Sequence, residues 1–198
     1  CKVLLAQKAY SLYKTYPLIS QYLTGTTASG LYEAKLAREE FSGEVHVFAP
    51  AFKDADLEEL LEITDHIVFN SERQLRKYGQ RCREAGISIG LRLNPQCSTQ
   101  GDHALYDPCA PGSRFGVTLD KIPSDLLDLV DGLHFHTLCE QGSEDLETTL
   151  KAVEAQFSSY LHEVKWLNMG GGHHITREDY DVDLLISEIK RIRETYNL

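Results

Sequence analysis

The sequence predicts an α/β fold of parallel strands with helices outside them, on three observations. Short apolar segments rich in β-branched residues recur along the chain, each followed by an amphipathic stretch. Some of these segments, such as Val3-Leu4-Leu5-Ala6, are apolar at every position, as strands covered on both faces require. Seven such strand–helix units fit within the 198 residues. Eight units close a TIM-type (β/α)8 barrel, which needs about 250 residues, so the expectation is about seven of the eight units. An open doubly wound sheet fits the same alternation and stays open at this point.

The strands are expected at Lys2–Gln7, Gly25–Ala28, Val45–Ala49, His66–Asn70, Ser88–Leu93, Val130–Thr137 and Lys165–Met169. Helices fall between them. Asp54–Thr64 places Leu57, Leu60, Leu61 and Thr64 on one face. The next helix opens with Ser71-Glu72-Arg73-Gln74, a capping-box pattern in which serine and glutamine satisfy amide groups reciprocally. In Ser143–Leu161 the residues Leu146, Leu150, Val153, Phe157 and Leu161 recur every three or four positions, giving one buried stripe. Asp181–Glu194 repeats the pattern with Leu184, Leu185, Ile189 and Ile192. The longest irregular stretch, Asn94–Gly116, carries Pro95, Pro108 and Pro111. In a barrel, a long loop after a strand belongs to the active-site face.

Charge narrows the function classes. Twenty basic against 30 acidic residues give a net charge of −10, which disfavours nucleic acid or an anionic membrane as partner. The dense basic stretch Arg73, Arg76, Lys77, Arg81, Arg83 reads as the solvated face of a helix. No apolar run reaches the length of a transmembrane helix. Five scattered cysteines without a C-x-x-C pair fit a reducing cytosol better than a disulfide scaffold, so a cytoplasmic protein is expected. The chain opens on Cys1 and its single methionine is Met169. Residues 1–198 are therefore expected to be one incomplete barrel domain, a piece of a longer polypeptide.

Catalytic groups of a parallel barrel sit at the C-terminal ends of its strands. Those positions hold Lys8, Ser29, Asn70, Arg92, His136 with Cys139, and Gly170–Gly172 followed by His173 and His174. A lysine at a strand end is usually a solvated residue, yet it can be partly desolvated there for Schiff-base chemistry. Three consecutive glycines can be a plain turn or can let backbone amides approach a phosphate. In Leu133-His134-Phe135-His136 alternation puts both imidazoles on one side of the strand. They can be core residues, a stacking face or metal ligands. A hydrolase metal site on His134, His136 and His173 is one alternative, although no H-E-x-x-H or paired-cysteine spacing accompanies it. Lysine, polyglycine turn and histidine on one barrel mouth suit pyridoxal 5'-phosphate.

At these residues the chain resembles the carboxynorspermidine (carboxyspermidine) decarboxylase family of the alanine-racemase-like pyridoxal phosphate group. The stretches that carry the resemblance are Val3–Lys8, Thr27–Lys35, His66–Ser71, Ser113–Gly116, Gly132–His136 and Asn168–Thr176. The resemblance implies decarboxylation of carboxynorspermidine or carboxyspermidine to norspermidine or spermidine in polyamine biosynthesis, by a homodimer. It implies Lys8 as the cofactor lysine, His136 as the ring stacked on the pyridine, and Gly170, Gly171 and Gly172 as phosphate binders. Ser29 and Arg92 are implied near the cofactor. Tyr32 stands where related decarboxylases carry an acidic residue, with Glu33 one position on, and Cys139 stands where they have a phosphate-contacting serine. The family's glutamate for the pyridinium nitrogen and its β-domain have no counterpart before Leu198, so the chain alone is expected to be inactive. A barrel that holds the cofactor without decarboxylating is the remaining alternative.

Overall fold

The computed structural model describes residues 1–101 and 107–198; residues 102–106 of the expected long loop Asn94–Gly116 lie outside them. The elements run β1 (Leu4–Ala6), α1 (Tyr16–Ile19), β2 (Gly25–Ala28), α2 (Leu31–Glu40), β3 (Glu44–Phe48), α3 (Asp54–Ile63), β4 (His66–Phe69), α4 (Glu72–Glu84) and β5 (Ser88–Arg92). They continue as β6 (Gly132–His134), α5 (Ser143–Leu161), β7 (Trp166–Asn168) and α6 (Val182–Tyr196). The chain divides into two compact units: Cys1–Gly90 with Asp125–Val130, and Leu91–Ser124 with Asp131–Leu198.

In the first unit β1 pairs with β2, β2 with β3 and β3 with β4, all parallel. This order follows the chain. A doubly wound sheet reverses direction outward from its first strand, so the sequential order selects the barrel-type arrangement. Val45 and Val47 of β3 are buried in one cluster with Leu31, Ala34 and Ala37 of α2 and Leu60 of α3. The alternate residues Glu44, His46 and Phe48 are half-buried on the other face of the strand.

Helix α2 has no counterpart among the helices expected from periodicity. Its buried face is Leu31, Ala34 and Ala37, and alanines give too weak a stripe to stand out. Helix α4 begins as its capping residues foretell, but with a shifted pairing. Ser71 Oγ accepts from Gln74 N–H at 3.4 Å, while Gln74 Oε1 accepts from Asn70 N–H at 2.8 Å. The basic stretch is a solvated helix face held by ion pairs: Arg76 with Asp125 at 2.9 Å, Lys77 with Asp54 at 2.5 Å, and Arg81 with Glu58.

In the second unit β6 pairs in parallel with β7. Helix α5 spans the expected Ser143–Leu161, and Leu146, Leu150, Val153, Phe157 and Leu161 are all buried. Each contributes about 1.5–3 kcal/mol of apolar burial. Arg191 of α6 reaches Glu154 of α5 at 2.8 Å and Glu188 of its own helix at 2.7 Å. Strand β6 is shorter than the expected Val130–Thr137 because its later carbonyls go to side chains. His136 O accepts from Arg92 Nη2 at 3.0 Å and Thr137 O from Gln100 Nε2 at 2.6 Å. Among the described residues no helix is long and apolar enough to cross a membrane.

Candidate functional site

The candidate residues of the first unit stand where β1 and β2 end. Lys8 lies two residues past β1, in a turn where Ala9 N–H donates to Ala6 O at 3.0 Å. Its side chain is exposed, so the partial desolvation considered for it is not present. The neighbouring Gln7 is buried and its Nε2 donates to Tyr16 Oη at 3.3 Å, which anchors the turn. Ser29 follows β2. Its N–H donates to Glu33 Oε2 at 2.7 Å and its hydroxyl to Glu33 Oε1 at 2.9 Å. Glu33 therefore holds Ser29 at the N-terminus of α2, where a carboxylate also complements the helix dipole. Tyr32 is exposed. Asn70 is buried and spends its backbone amide on Gln74.

The second unit brings four of the expected positions into contact. Asn168 Oδ1 accepts from Gly170 N–H at 2.8 Å and turns the chain directly after β7. Gly171 N–H then donates to His136 Nδ1 at 3.0 Å. An Nδ1 that accepts leaves the proton of the neutral imidazole on Nε2, so the glycine turn fixes both ring orientation and tautomer. Arg92 is buried, donates to His136 O and stacks its guanidinium over Phe115 at 4.7 Å. Burial pulls its pKa down to about 10, which leaves it charged at neutral pH.

Gly170 and Gly172 have φ of +73° and +88°. A Cβ on Gly170 would stand 2.4 Å from Phe135 O, and one on Gly172 only 2.0 Å from Leu138 O. The turn is thus pressed onto the backbone after β6, and side chains are excluded at Gly170 and Gly172. Gln141 N–H donates to Gly172 O at 3.0 Å and His174 N–H to Gln141 O at 3.1 Å, which sets the turn beside the start of α5. Among the described residues none accepts from Gly172 N–H. Left-handed glycines, an uncommitted amide and a nearby helix N-terminus fit an anion such as a phosphate. Gly170 and Gly171 commit their own amides to shaping the turn.

Gln141 belongs to none of the motifs legible in the sequence. Its Oε1 accepts from Gln100 Nε2 at 2.7 Å, from Thr99 Oγ1 at 3.1 Å and from Cys139 N–H at 3.3 Å, and its Nε2 donates to Thr99 O. One side chain thus ties the long loop, the exposed Cys139 and the glycine turn together. Partners about 40 residues apart leave no local pattern to find.

The histidines do not assemble as a metal site. His134 is buried, and burial, with Arg92 and His136 nearby, lowers its pKa to about 3, so it is neutral. His173 Nδ1 pairs with Tyr180 Oη at 2.7 Å, and His136 Nδ1 takes Gly171 N–H. Among the described residues, the grouping of three metal-type ligand atoms is Glu44, His46 and His66 instead. That corrects the metal-hydrolase alternative on His134, His136 and His173.

No family model matches the chain. A carboxynorspermidine/carboxyspermidine decarboxylase of Campylobacter jejuni is 39% identical over 197 residues, covering 100% of this chain and 51% of that protein. A carboxyaminopropylagmatine decarboxylase of Synechocystis is 39% identical over 196 residues, covering 98% of this chain and 50% of that one. The crystal structure of a carboxynorspermidine decarboxylase of Campylobacter jejuni, complexed with norspermidine, has a TM-score of 0.90 at 38% identity and covers 100% of this chain and 50% of that chain. A diaminopimelate decarboxylase structure, at 21% identity and a TM-score of 0.79, shares the fold. The chain spans about half the length of the curated relatives it matches. Over its whole length it is therefore similar, in sequence and in fold, to one half of carboxynorspermidine/carboxyspermidine decarboxylases.

Proposed function

We propose that the chain is the cofactor-holding barrel part of a pyridoxal-phosphate-dependent decarboxylase that converts carboxynorspermidine or carboxyspermidine to norspermidine or spermidine, as a cytoplasmic homodimer. The observation that carries this reading is the whole-chain match, at a TM-score of 0.90, to a decarboxylase bound to norspermidine. Bound pyridoxal phosphate supplies an electron sink for the pair left when carbon dioxide departs.

The chain's own residues take the remaining roles. Lys8 would hold the cofactor through its ε-amine, at the end of β1. Gly172 N–H would be the donor to its phosphate, in a turn that Gly170 and Gly171 shape. Cys139, whose amide is held by Gln141, stands at the same turn. His136 presents its ring as a stacking face, with its tautomer set by Gly171 and its backbone held by Arg92. Ser29, oriented by Glu33, offers a fixed hydroxyl at the end of β2.

The substrate class is an α-amino acid carried on a polyamine cation. The relatives' names differ in the amine but share a carboxy group that is removed, and a net charge of −10 is compatible with a cationic substrate. The test supplies the full-length polypeptide, not this chain alone, with pyridoxal phosphate and carboxynorspermidine, carboxyspermidine or carboxyaminopropylagmatine, and measures carbon dioxide and polyamine product. Turnover of at least one supports the reading. Cofactor binding without carbon dioxide release from any of them replaces it with a non-decarboxylating barrel.

A further inference from the structure

A second cluster stands at the other ends of the strands in the first unit, away from Lys8 and Ser29. Glu44 opens β3 and His66 opens β4. Because Val45 and Val47 are buried against the helices, Glu44 and His46 share the opposite face of β3. The β3–β4 register pairs His46 with His66, and their rings lie 4.1 Å apart and within 4° of parallel. His46 Nε2 is 3.0 Å and His66 Nε2 is 3.9 Å from one oxygen, Glu44 Oε2. The other oxygen, Oε1, pairs with Lys2. All three ligand atoms fall within 4.8 Å of one another.

We propose that Glu44, His46 and His66 form a divalent transition-metal site of the zinc class, with a water molecule as fourth ligand. Two imidazoles and one carboxylate are a zinc donor set, whereas calcium and magnesium are held by oxygen ligands alone. Ligand atoms at about 2.0–2.1 Å from a tetrahedral zinc stand about 3.3 Å apart. The observed 3.0 and 3.9 Å bracket that value. Reaching it needs rotation of the two stacked, half-buried rings toward Glu44 Oε2. On binding, the metal replaces the proton between His46 Nε2 and Glu44 Oε2, and the neutral ring carries its proton on Nδ1. Side-chain exposures of 14%, 18% and 29% leave room for the water ligand. Lys2 is a charge that competes for Glu44, and its side chain is 57% exposed and can turn to solvent.

The site joins two neighbouring strands at the end of the fold that serves stability, so its metal braces the sheet and takes no part in turnover. The test titrates zinc alone into the chelator-stripped full chain against a competing chromophoric chelator. One equivalent should bind. His46→Gln and His66→Gln should each weaken it at least tenfold, Glu44→Gln likewise, and Lys2→Gln should tighten it. Zinc should raise the melting temperature of the wild type and leave that of His46→Gln unchanged. Cobalt(II) in place of zinc should give a four-coordinate spectrum without a thiolate charge-transfer band, which separates this site from the five cysteines. Circular dichroism in the absence of metal checks that each variant folds, and the isosteric Glu44→Gln decides if a histidine variant does not. Absence of saturable zinc binding by the wild type, or undiminished affinity in the folded variants, overturns the proposal.

Discussion

Replacing Gly172 by alanine should be costly, while the same change at Gly171 should be nearly silent. Gly172 has φ +88°, and an added Cβ would stand 2.0 Å from Leu138 O and 2.4 Å from its carbonyl carbon. The left-handed conformation costs a non-glycine residue about 1–2 kcal/mol. Relieving an overlap with backbone adds about 1–3 kcal/mol. A loss of about 3 kcal/mol in a chain of this size lowers the melting temperature by roughly 6–12 °C. At Gly171 the nearest atom to a new Cβ is His136 Cε1 at 3.8 Å, an ordinary contact, and the amide that donates to His136 is retained. Its effect should stay within about 0.5 kcal/mol, as for a surface substitution. Thermal unfolding of both variants reads the difference, and pyridoxal phosphate titration should show weakening of at least tenfold for Gly172→Ala. Equal melting temperatures and affinities for the two variants would refute the assignment of a strained, side-chain-free cradle.

Two further outcomes follow from the same structure. Glu33→Gln removes the charge from both Ser29 hydrogen bonds and should cost about 1–2 kcal/mol in urea unfolding; an unchanged midpoint would show that Glu33 does not hold Ser29. His134 and His46, with pKa values lowered by burial to about 3 and about 4, are neutral when folded and take up protons when unfolded, below the ordinary value of 6.5. Their contribution is intact above about pH 6.5 and is lost as the pH falls, reaching about 2 kcal/mol for each by pH 5. His134→Asn should remove about half of that acid sensitivity; an unchanged melting temperature between pH 7 and pH 5 in the wild type would contradict it.

Much of the fold is legible because it is local. Helix α5 declares itself through one stripe of large apolar residues, and β2 through its β-branched pair Thr26 and Thr27. The ends of β6 are not legible, because Arg92 and Gln100 take its carbonyls from more than 30 residues away. Helix α2 hides behind alanines for the opposite reason, too little contrast between its faces. Strand-end logic singles out Lys8, Ser29, His136 and the glycines as candidates. The bond from Gly171 to His136, the Gln141 hub and the pairing of His46 with His66 are set by register between distant strands and loops. Only tertiary structure supplies that register.

The proposed function stands or falls with Lys8 as the residue that holds pyridoxal phosphate. The direct measurement incubates the full-length polypeptide with the cofactor, reduces it with borohydride and maps the modified peptide by mass spectrometry. One pyridoxyl group is expected, on Lys8, and none in Lys8→Ala, whose visible cofactor absorbance should also vanish. A pyridoxyl group on any other lysine, or a Lys8→Ala protein that keeps its absorbance and turnover, would contradict it.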